Sequence, residues 1–247
     1  KREKYKLYGE LINVYGYNLE EGAKELIAPN FYDDNKEIKI PLDPTKTARE
    51  NSQKYFDRYG KLKRTAEALD TLLAETKAEI DHLESIQNSL DIALSADDLV
   101  QIKQELTEYG FIKKHRTGKK EKVKSKPFHY LSSDGYDMYV GKNNYQNDEL
   151  TFKFATGNDW WFHAKGMPGS HVIVKNKGEE MPDRVYEEAA MLAGYYSKGR
   201  ESDKIEIDYL QKKNVKKPAG SAPGFVVYYT NFSMTIHPDI SALTLLE

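Results

Sequence analysis

The sequence predicts an α+β protein in which a long coiled-coil helical segment precedes a mixed α+β domain. Three observations lead there. From Tyr55 the positions Tyr55, Tyr59, Leu62, Ala66, Leu69, Leu73, Thr76, Ile80, Leu83, Gln87, Leu90 and Leu94 alternate four and three apart, and ten of the twelve are apolar. No Gly or Pro follows Gly60 within that run, so a single uninterrupted helix is expected. After residue 127, short apolar stretches at 138–140, 160–162 and 172–174 alternate with polar, turn-forming segments, as strands do. Between the two parts lies KKHRTGKKEKVKSK, residues 113–126. The expected organisation is therefore a helical domain over 1–112, a basic linker over 113–126 and an α+β domain over 127–247.

The elements follow in order. Residues 4–15 carry Tyr5, Tyr8, Leu11, Ile12 and Tyr15 on a helical stripe. Residues 19–27 read as a second short helix with Asn18 as its cap and an acidic first turn. IKIPL, residues 38–42, is extended, and Pro41 and Pro44 punctuate the chain before the long helix. One heptad stripe cannot bury itself. The first helix covers only its opening turns, so Ile80, Leu83 and Leu90 need the 97–109 helix, a segment upstream or another copy of the chain, and self-association along the stripe is expected. Ser95 caps a helix over 96–109 that Gly110 stops. In the C-terminal part, 128–132 and 136–140 form a hairpin about Asp134-Gly135. Asn147 or Asp148 caps a helix running to Ala155. Strands follow at 160–164 and 171–175, then a helix over 182–197 with Pro182 in its first turn. Strands at 204–210, 225–229 and 234–237 complete the sheet.

Composition narrows the function. The net charge of −2 hides an asymmetry: residues 1–110 hold 16 Lys and Arg against 22 Asp and Glu, and residues 111–247 hold 21 against 17. A basic cluster beside a turn-rich block is an electrostatic footprint for polyphosphate. With no cysteine there is neither a disulfide framework nor a thiolate metal site. That fits a cytosolic protein and does not exclude a bacterial surface protein. No apolar run reaches the length of a membrane span. The chain opens on Lys1 inside a helical pattern and so reads as a piece of a longer protein, in which a missing leader carries no weight.

The chemistry-bearing residues gather between Phe128 and Lys175. His163 and His171 lie eight apart, without the spacing of a metal site. Ser170 and His171 are adjacent and point to opposite faces of a strand, which argues against a nucleophile–base pair. No phosphate-cradling glycine motif is present. Catalysis, metal and cofactor are accordingly not expected. Nucleic-acid binding fits better. Gly141 turns the chain, and Lys142, Asn143, Asn144, Asn147 and Asp148 follow it. Amide side chains there suit base edges or a ribose hydroxyl. Trp160, Trp161 and Phe162 supply rings for stacking, although alternation alone leaves open which tryptophan faces outward. Lys153, Lys165, Lys175 and the loop cations Lys212, Lys213, Lys216 and Lys217 suit phosphate, with Gly220 and Gly224 allowing close approach. His163, Gly169, Ser170 and His171 complete the candidate surface. A buried histidine and turn-forming asparagines are the plainer readings of several of these.

VGKNNYQND, D-WWFHAKGMPGSHVIV and KKNVKKPAGSAPGFVVYY together resemble the RNA-binding NFACT-R domain. LYGELI…IPLDPTKTARENSQKYFDRYGKLKR resembles the coiled-coil middle segment of the same family, and the two cover nearly the whole chain. The family comprises bacterial fibronectin-binding protein A-like proteins and their ribosome quality-control relatives RqcH and NEMF. The resemblance implies a cytoplasmic, ribosome-associated, non-enzymatic protein that binds large ribosomal subunits obstructed by peptidyl-tRNA. It also implies contact with rRNA and tRNA and support of alanine tailing of stalled chains. Ribosomal proteins are the implied partners of the acidic coiled coil. The family's N-terminal domain, with its tRNA-selecting pair, has no counterpart here, so tailing by this chain alone is not expected. The second reading is a surface-displayed adhesin that binds fibronectin.

Overall fold

A computed structural model describes residues 2–114 and 122–246, so the middle of the expected linker, 115–121, lies outside the described residues. The chain packs as two compact units that divide after Ala78, inside the long helix rather than in the basic run.

In the first unit, helix α1 (Glu3–Tyr15) buries Tyr8, Leu11 and Ile12 on one face. Against it lies a hairpin of β1 (Glu25–Asn30) and β2 (Lys36–Pro41), in register Leu26 with Ile40 and Ala28 with Ile38. This corrects the helix expected over 19–27. Leu26 and Ala28 are buried while Glu25 and Ile27 are exposed, a period of two that a strand satisfies and a helix does not. The hairpin turns through Asp34 and Asn35 at φ 46° and 56°, where short polar side chains tolerate the left-handed region. Helix α2 (Ala48–Ile92) starts from a reciprocal cap. The Thr47 amide donates to Glu50 at 2.8 Å and the Glu50 amide donates to the Thr47 hydroxyl at 3.3 Å. A Cβ on Gly9 would stand 2.8 Å from the Phe56 ring, so glycine is what lets α1 and α2 approach.

The helix is as long as its heptads require, but the stripe is bare. Leu62, Leu69, Leu73, Ile80, Leu83 and Leu90 are all exposed, Leu73 to 67%. In the second unit the last turns of α2 bury a different face, with Ile86, Asn88, Ser89 and Ile92. Helix α3 (Leu99–Glu108) therefore does not cover Ile80, Leu83 or Leu90. It follows a turn whose box pairs Ser95 with Asp98, and Gly110, at φ 77°, stops it.

The second unit is organised by one antiparallel sheet. Its strands are β3 (Phe128–Leu131), β4 (Asp137–Val140), β5 (Trp160–Ala164), β6 (Val172–Val174), β7 (Ile205–Gln211), β8 (Phe232–Ile236) and β9 (Thr244–Leu245). They lie in the order β8-β7-β5-β6-β4-β3-β9. The hairpin about Asp134 and Gly135 is as expected, with Gly135 at φ 73°. The last strands differ from expectation. Residues 225–229 contribute only a bridge between Val227 and Lys216, and the edge strand is β8 instead. Val226 and Tyr228 are occupied in packing against the cluster around Trp161, so this segment lies over the sheet and not in it.

Alternation along each strand divides the sheet into two faces. On one, Met138, Val140, Phe162, Val172, Val174 and Ile207 meet helix α5 (Asp183–Tyr195) through Val185, Ala189 and Leu192. Pro182 stands at the helix cap rather than in the first turn. On the other face Trp161, Ile173 and Leu210 are covered by Leu150, Ala155 and Val215. That cover carries most of the residues singled out in the sequence.

Candidate nucleic-acid interface

The cover begins where β4 ends. Gly141 passes so close to the next helix that a Cβ would stand 2.1 Å from Asn147 Oδ1. Its carbonyl accepts from Ser170 Oγ at 2.6 Å and its amide donates to the His171 carbonyl at 3.2 Å. Helix α4 (Asn144–Glu149) is capped by Asn143, whose side chain accepts from the Gln146 amide at 3.0 Å. The cap is thus one turn earlier than Asn147 or Asp148, because the extended Asn143 backbone presents its own oxygen to the first free amides. The helix then widens into a π turn, Leu150–Phe154.

The asparagines do not form an open donor surface. Asn143, Asn144 and Asn147 are buried, as are Ser170 and His171. Asn143 Nδ2 donates to Gln101 at 3.0 Å, and Asn144 Nδ2 donates to Ser85 Oγ at 2.8 Å and Glu105 Oε1 at 2.9 Å. Asn147 Oδ1 accepts the His171 amide at 3.0 Å. Buried amides must be paired, and these are, so they bind α4 to the strand ends and to α2 and α3 rather than to a ligand. Glu105, fully enclosed, also faces His82 at 2.8 Å; burial raises its carboxyl above the usual range, against the pull of Asn144 and His82. Lys142 is likewise occupied, 3.3 Å from Asp98 and 4.4 Å above the Phe128 ring.

The two histidines form an internal pair, with ring centroids 5.6 Å apart. His171 Nε2 stands 3.1 Å from the Gly224 carbonyl, which only accepts, so that nitrogen carries the proton. Nδ1 then accepts from Thr151 Oγ1 at 2.8 Å. Burial first, and the neighbouring His163 second, hold His171 well below the ordinary histidine range. Burial pushes His163 down to about 4. Both are therefore neutral and structural at neutral pH. The adjacent Gly169 would bring a Cβ within 3.0 Å of Ser197 Cβ, so it too serves close packing.

The basic loop after β7 splits into two kinds of lysine. Lys217 Nζ is 2.8 Å from Asp148 and donates to the Ala222 carbonyl at 2.7 Å, which ties the loop to α4. Lys213 and Lys216 are exposed, as is Lys153 on the π turn, and none has an ion-pair partner among the described residues. The Lys213 amide donates to the Gly157 carbonyl at 3.1 Å, which brings its loop against the turn that follows Lys153. Lys165 pairs with Glu206 at 2.6 Å. Trp160 is half-buried and rests among Tyr186, Tyr209 and Phe232 at 4.9, 5.9 and 6.3 Å on the α5 side of the sheet, while Trp161 is fully enclosed on the other. The sequence reading did not find Asp98, Gln101, Glu105 and Gln146, which complete the buried network. Only Asp98, three residues after Ser95, had a readable signal. Among the described residues no three acidic or histidine side chains gather as metal ligands. No helix among them is long and apolar enough to cross a membrane.

The family model described as NFACT N-terminal and middle domains matches residues 1–125, and the one described as the NFACT protein RNA binding domain matches residues 126–229. The chain is 40% identical to the Rqc2 homolog RqcH of Streptococcus pneumoniae over 96% of its own length. It is 35% identical to that of Bacillus subtilis over 99%. It spans 42% and 43% of those two proteins. Coiled-coil domain-containing protein 25 of Bos taurus is 29% identical over 40% of this chain and 50% of that protein. Among solved structures, the C-terminal part of the fibronectin/fibrinogen-binding protein from Streptococcus suis is similar. It has a TM-score of 0.71 and 41% identity, covering 78% of this chain and 77% of that one.

Proposed function

The chain belongs to the NFACT family, and from that premise we propose that it is an RNA-binding, ribosome-directed module of ribosome quality control. It engages large ribosomal subunits obstructed by peptidyl-tRNA and touches rRNA and tRNA through residues 127–247. Within a longer protein it supports alanine tailing of the stalled chain. It acts in the cytoplasm, by binding and without catalysing a reaction. The helical segment meets ribosomal proteins, whose basic surfaces suit its acidic balance.

The observation that carries this reading is the state of the lysines. Lys153, Lys213 and Lys216 are exposed and have no ion-pair partner among the described residues, on segments braced by a paired network of Asn147, Asp148, His171 and Lys217. All of them fall within the stretch matched by the RNA-binding model. Rigidly held, unpaired cations are what a phosphate backbone selects.

The experiment is binding of the chain to purified large subunits and to immobilised fibronectin, side by side, at low and physiological salt. Subunit binding that weakens with salt, with little on fibronectin, is the expected result. The name of the Streptococcus suis neighbour favours a second reading, adhesion to fibronectin. Saturable, salt-tolerant fibronectin binding with none to the subunit would replace the first reading by the second.

A further inference from the structure

The cover over the second face of the sheet stops short, and what it leaves open has a specific chemistry. Cross-strand register places His129, Tyr139, Ile173, Trp161 and Leu210 in one row across β3, β4, β6, β5 and β7. Ile173, Trp161 and Leu210 are fully enclosed. Tyr139 and His129, at the far end of the row, are only partly covered, and the last residue of the cover beside them, Phe154, is 41% exposed.

The open end is a run of rings. His129 and Tyr139 stack at 4.4 Å with their planes 9° apart. Tyr139 meets Phe154 at 4.7 Å. His129 Nε2 lies 2.8 Å from Asp137 Oδ1, which fixes the imidazole parallel to the tyrosine. Cations border the run on one side. Lys175 Nζ stands 4.8 Å over the Phe154 ring and is held there by Asp159. Lys153 precedes Phe154 and is exposed, and the backbone amide of Lys213, itself exposed, donates to the Gly157 carbonyl in the turn that follows. Nearby, Lys212 lies 5.7 Å over Phe152.

We propose that His129, Tyr139 and Phe154 form a stacking platform for unpaired bases of single-stranded RNA, whose phosphates run towards Lys153 and Lys213. The proposal rests on the RNA-binding reading above and specifies how RNA is held. Rings offer a π-face to any base, and flanking cations draw the backbone, so such a tract prefers single strands without demanding a sequence. A duplex keeps its bases stacked inside and can use only the lysines.

The test uses the whole 247-residue chain. Affinity is measured for a labelled single-stranded polyadenosine oligonucleotide and for a duplex RNA of equal phosphate count. Phe154→Leu and His129→Leu each keep bulk and remove the ring. Each is expected to weaken single-strand binding about five- to tenfold while leaving duplex binding and the salt slope unchanged. Because Tyr139 packs into the core beneath, it is left intact. A second measurement on the unmutated protein, photocross-linking to a thiouridine-containing single strand, should place adducts in the peptides that carry Tyr139 or Phe154. Ring variants that bind single strands as the parent does, or adducts confined to other peptides, would overturn the platform. If Lys213→Glu with Lys216→Glu still weakened RNA binding in that case, the RNA-binding reading would stand without it. A parent chain that binds neither RNA at low salt would sink both.

Discussion

Lys217 Nζ lies 2.8 Å from the Asp148 carboxylate, and the same carboxylate accepts the Gly224 amide at 2.9 Å. One side chain on α4 thus holds the basic loop after β7 at two points, and Lys217 braces that loop. Asp148→Asn should lower the free energy of unfolding by about 1–2 kcal/mol, since a partly buried charge-assisted bond is lost. Lys217→Glu should cost more, because it sets two carboxylates together. Lys216→Glu should leave the denaturant midpoint where it is and weaken RNA binding. Urea unfolding of the three variants checks this; equal midpoints for Lys216→Glu and Lys217→Glu would contradict the division.

Neutralising the exposed cations separates attraction from fit. Lys153→Gln, Lys213→Gln and Lys216→Gln should each reduce the slope of log affinity against log salt by about 0.7 for single-stranded RNA. Lys165→Gln, which removes a lysine already paired with Glu206, should change the slope less. Anisotropy titrations over a salt series read both.

Acid should loosen the second unit through its histidines. The unfolded chain takes up a proton on each near the ordinary value of 6.5, but His163 folded does so only near about 4, and His171 is also well below its ordinary range. The contribution of His163 is fully present above about pH 6.5 and declines as pH falls towards about 4, and that of His171 declines in the same direction. The slope is up to about 1.4 kcal/mol per pH unit for each histidine. The raised Glu105 carboxyl acts in the opposite sense, since the folded chain keeps a proton that the unfolded chain has released. Comparison with His163→Gln cancels that contribution. Melts of parent and variant across this window should show a shallower pH dependence in the variant.

The bare heptad stripe should bring copies of the chain together. Leu69→Asp with Leu73→Asp places charges on its most open stretch, where neither leucine supports a core. Sedimentation at rising concentration should show an assembling parent and a monomeric variant that keeps the parent's helical circular dichroism. A parent that stays monomeric throughout would remove self-association from the account.

Local signals were read well wherever one residue type forces one geometry. Asp134-Gly135 gave the hairpin, the heptads gave α2, and Gly110 gave the end of α3. The helix expected over 19–27 failed because its acidic start mimics a first turn, whereas the partner that makes ELIA a strand, IKIP, lies across a turn that only Asp34 and Asn35 mark. The strand expected over 225–229 failed for a tertiary reason. Val226 and Tyr228 alternate as a strand does, yet they are drawn onto Trp161, away from the sheet edge. The site suffered the same ambiguity. Asn143, Asn144 and Asn147 look alike whether they face a nucleotide or a buried partner. The partners, Gln101, Glu105 and the His171 amide, lie far away in sequence.

The cover over the sheet is assembled from two segments separated by β5, β6, α5 and β7, and Asp148 and His171 grip the second of them at Lys217 and Gly224. A chain synthesised from its N-terminus has only Leu150, Phe152 and Ala155 to cover Trp161, Ile173 and Leu210 until residues 215–228 have left the ribosome. The surface that joins Lys153 to Lys213 and Lys216 therefore comes into being only once residues 215–228 have been made. A product that stops before Val226 should therefore leave the Trp161 cluster part-covered and its RNA surface incomplete.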